Sequence, residues 1–247
     1  MKKNVVKYTC VACGICCKER LIPLTIGEAE QWLARGDNVA IILEAFSHST
    51  NLENSPEYIH NTGRAAEVNK GKEKIHVIAI FAANALSRCP NLKADNLCGI
   101  YEDRPLVCRI YPMEINPFIE LRKENKICPP ESWESGEILC SDGIANPPLR
   151  LLINQSKQSD IEDAAAKVAI CESLGMSVAS WKGDGLAVYF PEREKLLAAI
   201  QTKGSSHRAH EHHWKVRTDN ADVRQHLLSI DVPLAPQDAN DYIYQAL

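Results

Sequence analysis

The 247-residue sequence has no long apolar run and no strong excess of charge of either sign. Its formal net charge of −4 provides no basic footprint for a nucleic acid. The longest mostly apolar stretch, residues 75–86, has about twelve residues, short of the roughly 20 that span a bilayer. No apolar segment follows residues 1–6, so we expect no secretory signal. These absences predict a cytoplasmic protein that binds neither nucleic acid nor membrane.

The common catalytic signatures are absent as well. The sequence has no Gly-x-Ser-x-Gly, no His-Glu-x-x-His and no phosphate loop. Gly183-Asp184-Gly185 is at best half of a dinucleotide loop, and we interpret it as a turn. The residues therefore name no reaction, and whether the protein is an enzyme stays open.

Cysteine is what the sequence has in abundance, with ten in total and nine of them at or before Cys140. The first group lies within eight residues: Cys10, Cys13, Cys16 and Cys17. Two residues between cysteines let the backbone turn back so that the sulfurs converge, and Gly14 permits a positive φ there. So short a loop cannot easily hold two unstrained disulfides, and thiols stay reduced in the cytoplasm. This group predicts a metal site.

A second group of cysteines lies further along the chain: Cys89, Cys98, Cys108 and Cys128. Proline follows Cys89 and Cys128, as it does at iron–sulfur sites. Near Cys108 we expect Asp103 to cap a short helix with Pro105 in its first turn. Arg104 and Arg109 would then offset thiolate charge.

Both groups resemble the signatures of the YkgJ-type cysteine-cluster family. The first signature is Cys10-x-x-Cys13-x-x-Cys16-Cys17. The second is Arg88-Cys89-Pro90-Asn91-Leu92 followed by Cys98-Gly-Ile-Tyr101-Glu102-Asp103-Arg104-Pro105-x-x-Cys108-Arg109-x-Tyr111-Pro112. The family's domain is described as zinc- or iron-chelating and is often assigned to the iron–sulfur proteins. The resemblance covers roughly residues 8 to 130, and it implies metal binding by Cys10, Cys13, Cys16, Cys17, Cys89, Cys98, Cys108 and Cys128.

Eight ligands fit either two four-thiolate sites or one site with spare cysteines. Neighbouring side chains point in different directions, so Cys16 and Cys17 more easily serve different metals. Our preferred partition places Cys10, Cys13 and Cys16 with one distal cysteine, and Cys17 with the other three. Closed four-thiolate sites suit Zn²⁺ or an iron–sulfur cluster such as 4Fe–4S. The Cys-Pro context favours the iron–sulfur cluster.

These observations predict a cytoplasmic metalloprotein with a structural or electron-transfer role. Metal ions are its expected partners, with a partner protein left open. Two alternatives remain. The cysteine pattern is distantly similar to that of flagellin lysine N-methylases, which implies iron–sulfur-dependent methyl transfer to a protein lysine. A chaperone that hands iron or zinc to a partner is the other.

The expected fold is α+β, mostly helical with short strands. We expect a loop-rich, metal-knitted domain at residues 1–145, with an irregular insertion at about 47–74. A helical extension at 146–247 should pack on it. Capping boxes predict helix starts at Thr25, with Gly36 ending that helix, and at Ser159.

Other apolar runs give further expectations. Residues 75–81 and 185–190 predict strands, whereas 41–46 fit strand or helix. We expect helices from Pro191 to Gly204 and at about 220–230. Cys171 is interpreted as a packing residue, and so is Cys140, with a ninth metal ligand as the alternative for Cys140. The tract His207–His213 is interpreted as a solvated loop, with zinc or nickel binding as the alternative.

Overall fold

The computed structural model describes residues 5–47, 55–69, 73–204, 214–238 and 240–247. Six α-helices lie along these residues: α1 (Ile26–Ala34), α2 (Pro56–Gly63), α3 (Leu106–Ile110), α4 (Pro147–Ser173), α5 (Arg193–Gln201) and α6 (Ala221–Ser229). Seven strands precede α4: β1 (Val5–Tyr8), β2 (Arg20–Leu24), β3 (Val39–Ser47), β4 (Ala66–Glu67), β5 (Ile75–Ala85), β6 (Glu137–Ser141) and β7 (Ile144–Ala145). Four follow it: β8 (Val178–Trp181), β9 (Gly185–Tyr189), β10 (Lys215–Arg217) and β11 (Ile243–Ala246).

The chain forms two compact units, each assembled from two separate segments. The first unit comprises Met1–Leu24 and Asn84–Ser159, and the second comprises Thr25–Ala83 and Asp160–Leu247. The division into domains at residues 145 and 146, with an insertion at 47–74, stays a prediction. Within the described ranges no helix combines the length and apolar character needed to cross a bilayer.

The mostly helical fold expected from the sequence is wrong. Helix accounts for 35% of the described residues and strand for 26%, so strands form a large part of the structure. The expected helical C-terminal part contains β8 to β11. Short strands with mixed exposure, such as β10 and β11, leave no continuous apolar run in the sequence. Sheet pairing stabilises them where the local pattern does not.

A sheet centred on β3 dominates the second unit. β3 pairs antiparallel with β5 along all nine of its residues, and every residue of β3 is buried. The opposite edge of β3 pairs antiparallel with β9 and parallel with β8. β11 extends the sheet beyond β9, β10 extends it beyond β8, and β4 pairs with β5. A strand that is buried on both faces reads as an apolar run, which is why residues 41–46 alone did not separate strand from helix.

Helix α1 begins as its sequence predicts. The Thr25 hydroxyl accepts a hydrogen bond from the Glu28 N–H at 3.2 Å, and the Glu28 carboxylate accepts one from the Thr25 N–H at 2.9 Å. The helix ends before Gly36, whose φ of +97° suits glycine. Its buried face consists of Ala29, Trp32 and Leu33.

The second predicted capping box is wrong. Residues 159–162 lie inside α4, which begins at Pro147. The Asn146 carboxamide oxygen accepts a hydrogen bond from the Leu149 N–H at 2.9 Å and so caps that start. A Ser-x-x-Glu pattern acts as a cap only at the N-terminus of a helix. In α4, proline in the first turn marks that N-terminus.

Other expectations have mixed outcomes. The strands predicted at 75–81 and 185–190 are confirmed as β5 and β9. α5 begins at Arg193 rather than at Pro191, and α6 begins after Asn220 as predicted. Part of the segment expected to be irregular, 47–74, forms α2. The tract His207–His213 lies outside the described residues.

The first unit has a small apolar core and a short sheet. The core consists of Leu106 and Ile110 from α3 with Ala145 and Leu149. β6 pairs antiparallel with β1 on one side and with β7 on the other. Most of the unit's remaining backbone is loop, and these loops carry the cysteines.

Candidate metal centre

The first cysteine run folds into a tight turn. Gly14 precedes a short 3-10 helix, Ile15–Cys17, and has a φ of +71°. A Cβ at this position would lie 2.9 Å from the Asn96 side-chain oxygen. The positive φ that the sequence predicted here is confirmed. The tight turn that carries Cys13, Cys16 and Cys17 therefore depends on glycine at position 14.

A backbone hydrogen bond joins this turn to the second cysteine group. The Cys89 N–H donates to the Cys17 carbonyl at 2.7 Å. Beyond Cys89 the chain turns, and Leu92 forms an isolated antiparallel bridge with Cys98. Residues far apart in sequence are thus fixed beside each other in the first unit.

The thiols of neighbouring Cys16 and Cys17 are hydrogen-bonded to each other. This bond, with burial, raises the pKa of Cys16 well above its usual range. The same bond lowers the pKa of Cys17, against the effect of burial. Three further thiolate charges oppose that lowering, those of Cys89, Cys108 and Cys98. Cys17 therefore lies among the cysteines of the second group.

Cys108 lies on α3, near Cys89, Cys16 and Cys98. Burial raises the pKa of Cys108 to about 12. Charges on Cys89, Cys16 and Cys98 add to the rise, whereas Arg104 lowers it, as expected for an arginine that offsets thiolate charge. Arg109 is exposed.

The cap expected at the start of α3 is wrong. Pro105 occupies the N-cap position, where no side chain caps the helix. Asp103 therefore does not have the predicted role. A five-residue helix that packs Leu106 and Ile110 into the core is held by burial rather than by a cap.

Cys128 lies between two tyrosines. Its sulfur is 3.4 Å from the Tyr8 hydroxyl and 3.3 Å from the Tyr111 hydroxyl. Burial and the contact with Cys128 raise the pKa of Tyr8, and the charges of Cys10 and Cys16 raise it further. Cys10, Cys16 and Cys128 thus share the surroundings of one phenol.

The remaining predicted ligands differ in exposure. Cys10 is exposed, Cys89 is buried and Cys13 is partly buried. Cys140 and Cys171, interpreted as packing residues, are only 3% and 0% exposed. All ten cysteines lie in the described ranges, and none of them forms a disulfide there.

Eight thiols are the type of donor that a thiophilic metal prefers. No group of three or more His, Cys, Asp or Glu side chains in the described ranges is arranged to hold a metal ion as it stands. Binding would therefore require the thiols to draw together as they lose their protons. The buried Asn91 amide nitrogen, two residues after Cys89, has no hydrogen-bond partner among the described residues. Such an N–H suits a metal-bound thiolate, because these usually accept hydrogen bonds from the surrounding protein.

The sequence did not single out the tyrosines beside Cys128. Tyr111 stands within the second signature but carries no mark of its role, and Tyr8 lies two residues before Cys10. Aromatic residues so close to clustered cysteines are the one signal that pointed to them. Tyr8 lies on β1, whose pairing with β6 the sequence does not reveal.

Cysteines gathered in one small unit define a class of protein, the thiolate-rich metal-chelating domains. Residues 9–129 match the family model described as "CxxCxxCC: Putative zinc- or iron-chelating domain". Residues 9–129 are therefore a domain of the CxxCxxCC family, the one that the signatures resemble. No curated protein and no solved structure matches the chain.

Proposed function

We propose that the first unit is a cytoplasmic iron–sulfur or zinc module with eight cysteine ligands, serving electron transfer or structure. The ligands form two four-thiolate sets. The inner set is Cys17, Cys89, Cys98 and Cys108. The outer set is Cys10, Cys13, Cys16 and Cys128.

One observation carries the inner set: Cys89, Cys98 and Cys108 all lie close enough to Cys17 for a charge on any of them to raise its pKa. The Cys89–Cys17 backbone hydrogen bond holds two of these residues together independently of any metal. Four thiolates around a divalent ion leave an excess negative charge, which Arg104 partly offsets.

The outer set is supported by the surroundings of Tyr8. Charges from Cys128, Cys10 and Cys16 act on this one hydroxyl. Cys13 lies in the same turn, three residues from both Cys10 and Cys16. Cys16 is hydrogen-bonded to Cys17 and also lies near Cys108, so we assign it to the outer set from the surroundings of Tyr8 and from its spacing to Cys13.

Iron–sulfur is our first choice of metal. Cys89 and Cys128, one from each set, are followed by proline, the context found at iron–sulfur ligands. Zinc, which is also held by four thiolates, is the alternative.

The test is native mass spectrometry with iron, zinc and sulfide analysis of anaerobically purified protein. We expect two centres in the wild type, with Cys17→Ser losing the inner one and Cys128→Ser the outer one. Cys171→Ser is the matched control, because that thiol is buried outside both sets, and it should retain both centres. A single centre in the wild type would refute the partition, and stoichiometric zinc without sulfide would end the iron–sulfur assignment.

A second candidate function is metal delivery, and the exposure of Cys10 favours it. An exposed ligand gives an incoming thiol or chelator a point of attack, whereas a closed structural site resists exchange. If the protein delivers metal, the wild type should transfer it rapidly to a competing chelator. If the site is structural, the same transfer should be much slower. Stopped-flow mixing with a chromophoric chelator distinguishes the two.

A further inference from the structure

Two phenol groups converge on a single cysteine sulfur in the first unit. The Cys128 sulfur lies 3.4 Å from the Tyr8 oxygen and 3.3 Å from the Tyr111 oxygen. Both distances allow a hydrogen bond to sulfur. The proposed outer site uses Cys128 as a ligand but gives the tyrosines no part.

The protonation state of Cys128 decides what two hydroxyls can do there. A neutral thiol has one proton, and in the structure it donates to the Tyr111 oxygen. A thiolate has no proton and is an acceptor only, so both hydroxyls can donate to it. The pair is therefore better matched to the deprotonated, metal-bound form of Cys128 than to the free thiol.

The tyrosine rings are held in place independently of the sulfur. Tyr8 packs against Trp133 with ring centroids 5.1 Å apart, and it meets Tyr111 edge to face at 6.5 Å. The Lys126 ammonium lies 5.4 Å from the Tyr111 ring centroid and pairs with Glu114. These contacts fix both hydroxyls before any metal arrives, which is what a preorganised outer ligand shell requires.

We propose that Tyr8 and Tyr111 are positioning residues that donate two O–H···S hydrogen bonds to the Cys128 thiolate and so tune the outer metal site. The inference rests on the proposed function. The two bonds stabilise the thiolate, which strengthens metal binding, and they draw electron density from the sulfur. Removing either hydroxyl should lower the affinity for the metal and make the sulfur a stronger electron donor.

The test uses Co²⁺ alone as a probe, because it replaces zinc or ferrous iron in thiolate sites and its sulfur-to-metal charge-transfer band reports on the sulfur. Tyr8→Phe and Tyr111→Phe keep the rings and remove only the hydroxyls. We expect each to move the band to lower energy and to weaken Co²⁺ binding about 10-fold, the lower end of the range for residues around metal ligands. A purely structural role would leave the band energy unchanged.

Two controls make the result specific. Tyr101→Phe removes a hydroxyl from a half-exposed tyrosine whose ring lies against Arg104, and it should change neither readout. In a Cys128→Ser background, Tyr8→Phe should no longer shift the band, because the accepting sulfur is gone.

The outcomes separate this inference from the proposed function. If wild-type protein binds no Co²⁺, the proposed function fails. If Co²⁺ binds and Cys128→Ser changes the spectrum, but both phenylalanine variants match the wild type, the function stands and the role of the tyrosines is refuted. If Cys128→Ser leaves the spectrum unchanged, Cys128 is not a ligand and the inference is also refuted. Circular dichroism confirms that each variant is folded.

Discussion

At the scale of one residue, the raised pKa of the Cys108 thiol links the stability of the first unit to metal binding. Burial raises the pKa of this thiol from 9.0 to about 12, so the folded chain holds the proton more tightly than the unfolded chain does. The metal-free protein should therefore lose stability as the pH rises from about 9 towards about 12, since the unfolded state releases its proton first. A bound cation should remove this loss of stability, because it compensates the charge of the buried thiolate.

We predict that Zn²⁺ binding at neutral pH releases about one proton fewer in Cys108→Ser than in the wild type, because a thiol with a raised pKa is fully protonated before it binds. Calorimetry in two buffers of different ionisation enthalpy gives the count. Cys171→Ser, which changes a buried thiol outside both proposed sets, should match the wild type. An unchanged count in Cys108→Ser would show that Cys108 is not a ligand.

The roles of individual residues differ in how far the sequence predicts them. The positive φ of Gly14 could be predicted, because its need arises within a few residues of the cysteines. The position of Tyr8 could not, because its contact with Cys128 joins residues 120 apart in the chain. That of Tyr111 could not either, because its contact with Cys128 depends on the fold of the loops between them. The role of Asp103 was predicted wrongly, because α3 is held by its buried side chains and not by a cap.

At the scale of elements, two capping-box patterns in the sequence have different positions in their helices. Thr25 caps α1, whereas Ser159 lies within α4. We predict that Thr25→Ala lowers the free energy of unfolding by about 1 kcal/mol, the usual value of an N-cap. Ser159→Ala should be neutral or stabilising by up to about 0.5 kcal/mol, because alanine is the better residue inside a helix. Urea denaturation measures both.

Thr25→Ser is the matched control, because its hydroxyl can still accept the Glu28 N–H hydrogen bond, and we expect it to cost little. A loss near 1 kcal/mol in Ser159→Ala would instead indicate that a helix starts there. The contrast explains why element types were predictable where local chemistry decides them, as at α1. β10 and β11 were not, because their stabilising partners are distant in sequence.

At the scale of the whole molecule, the two units are stabilised by different means. The second is built on a strand buried along its full length, with Trp32, Phe46 and Phe81 among its fully buried side chains. The first has a small apolar core and many loops, and its eight predicted ligand cysteines are spread over residues 10–128. Composition along the chain could not reveal this, because each unit is assembled from two separate segments.

That difference predicts how the protein responds to metal removal. In full-length metal-loaded protein treated with chelator and reductant, amides of residues 10–17 and 89–128 should lose hydrogen-exchange protection. β3 and β5 should retain theirs, because apolar burial holds the second unit whether or not thiolates are bound. Cys17→Ser should show part of the same loss without chelator, and Cys171→Ser none. Equal loss in both units would mean that the metal stabilises the chain as a single cooperative structure, and unchanged protection in both would mean that the bound metal does not hold the first unit together.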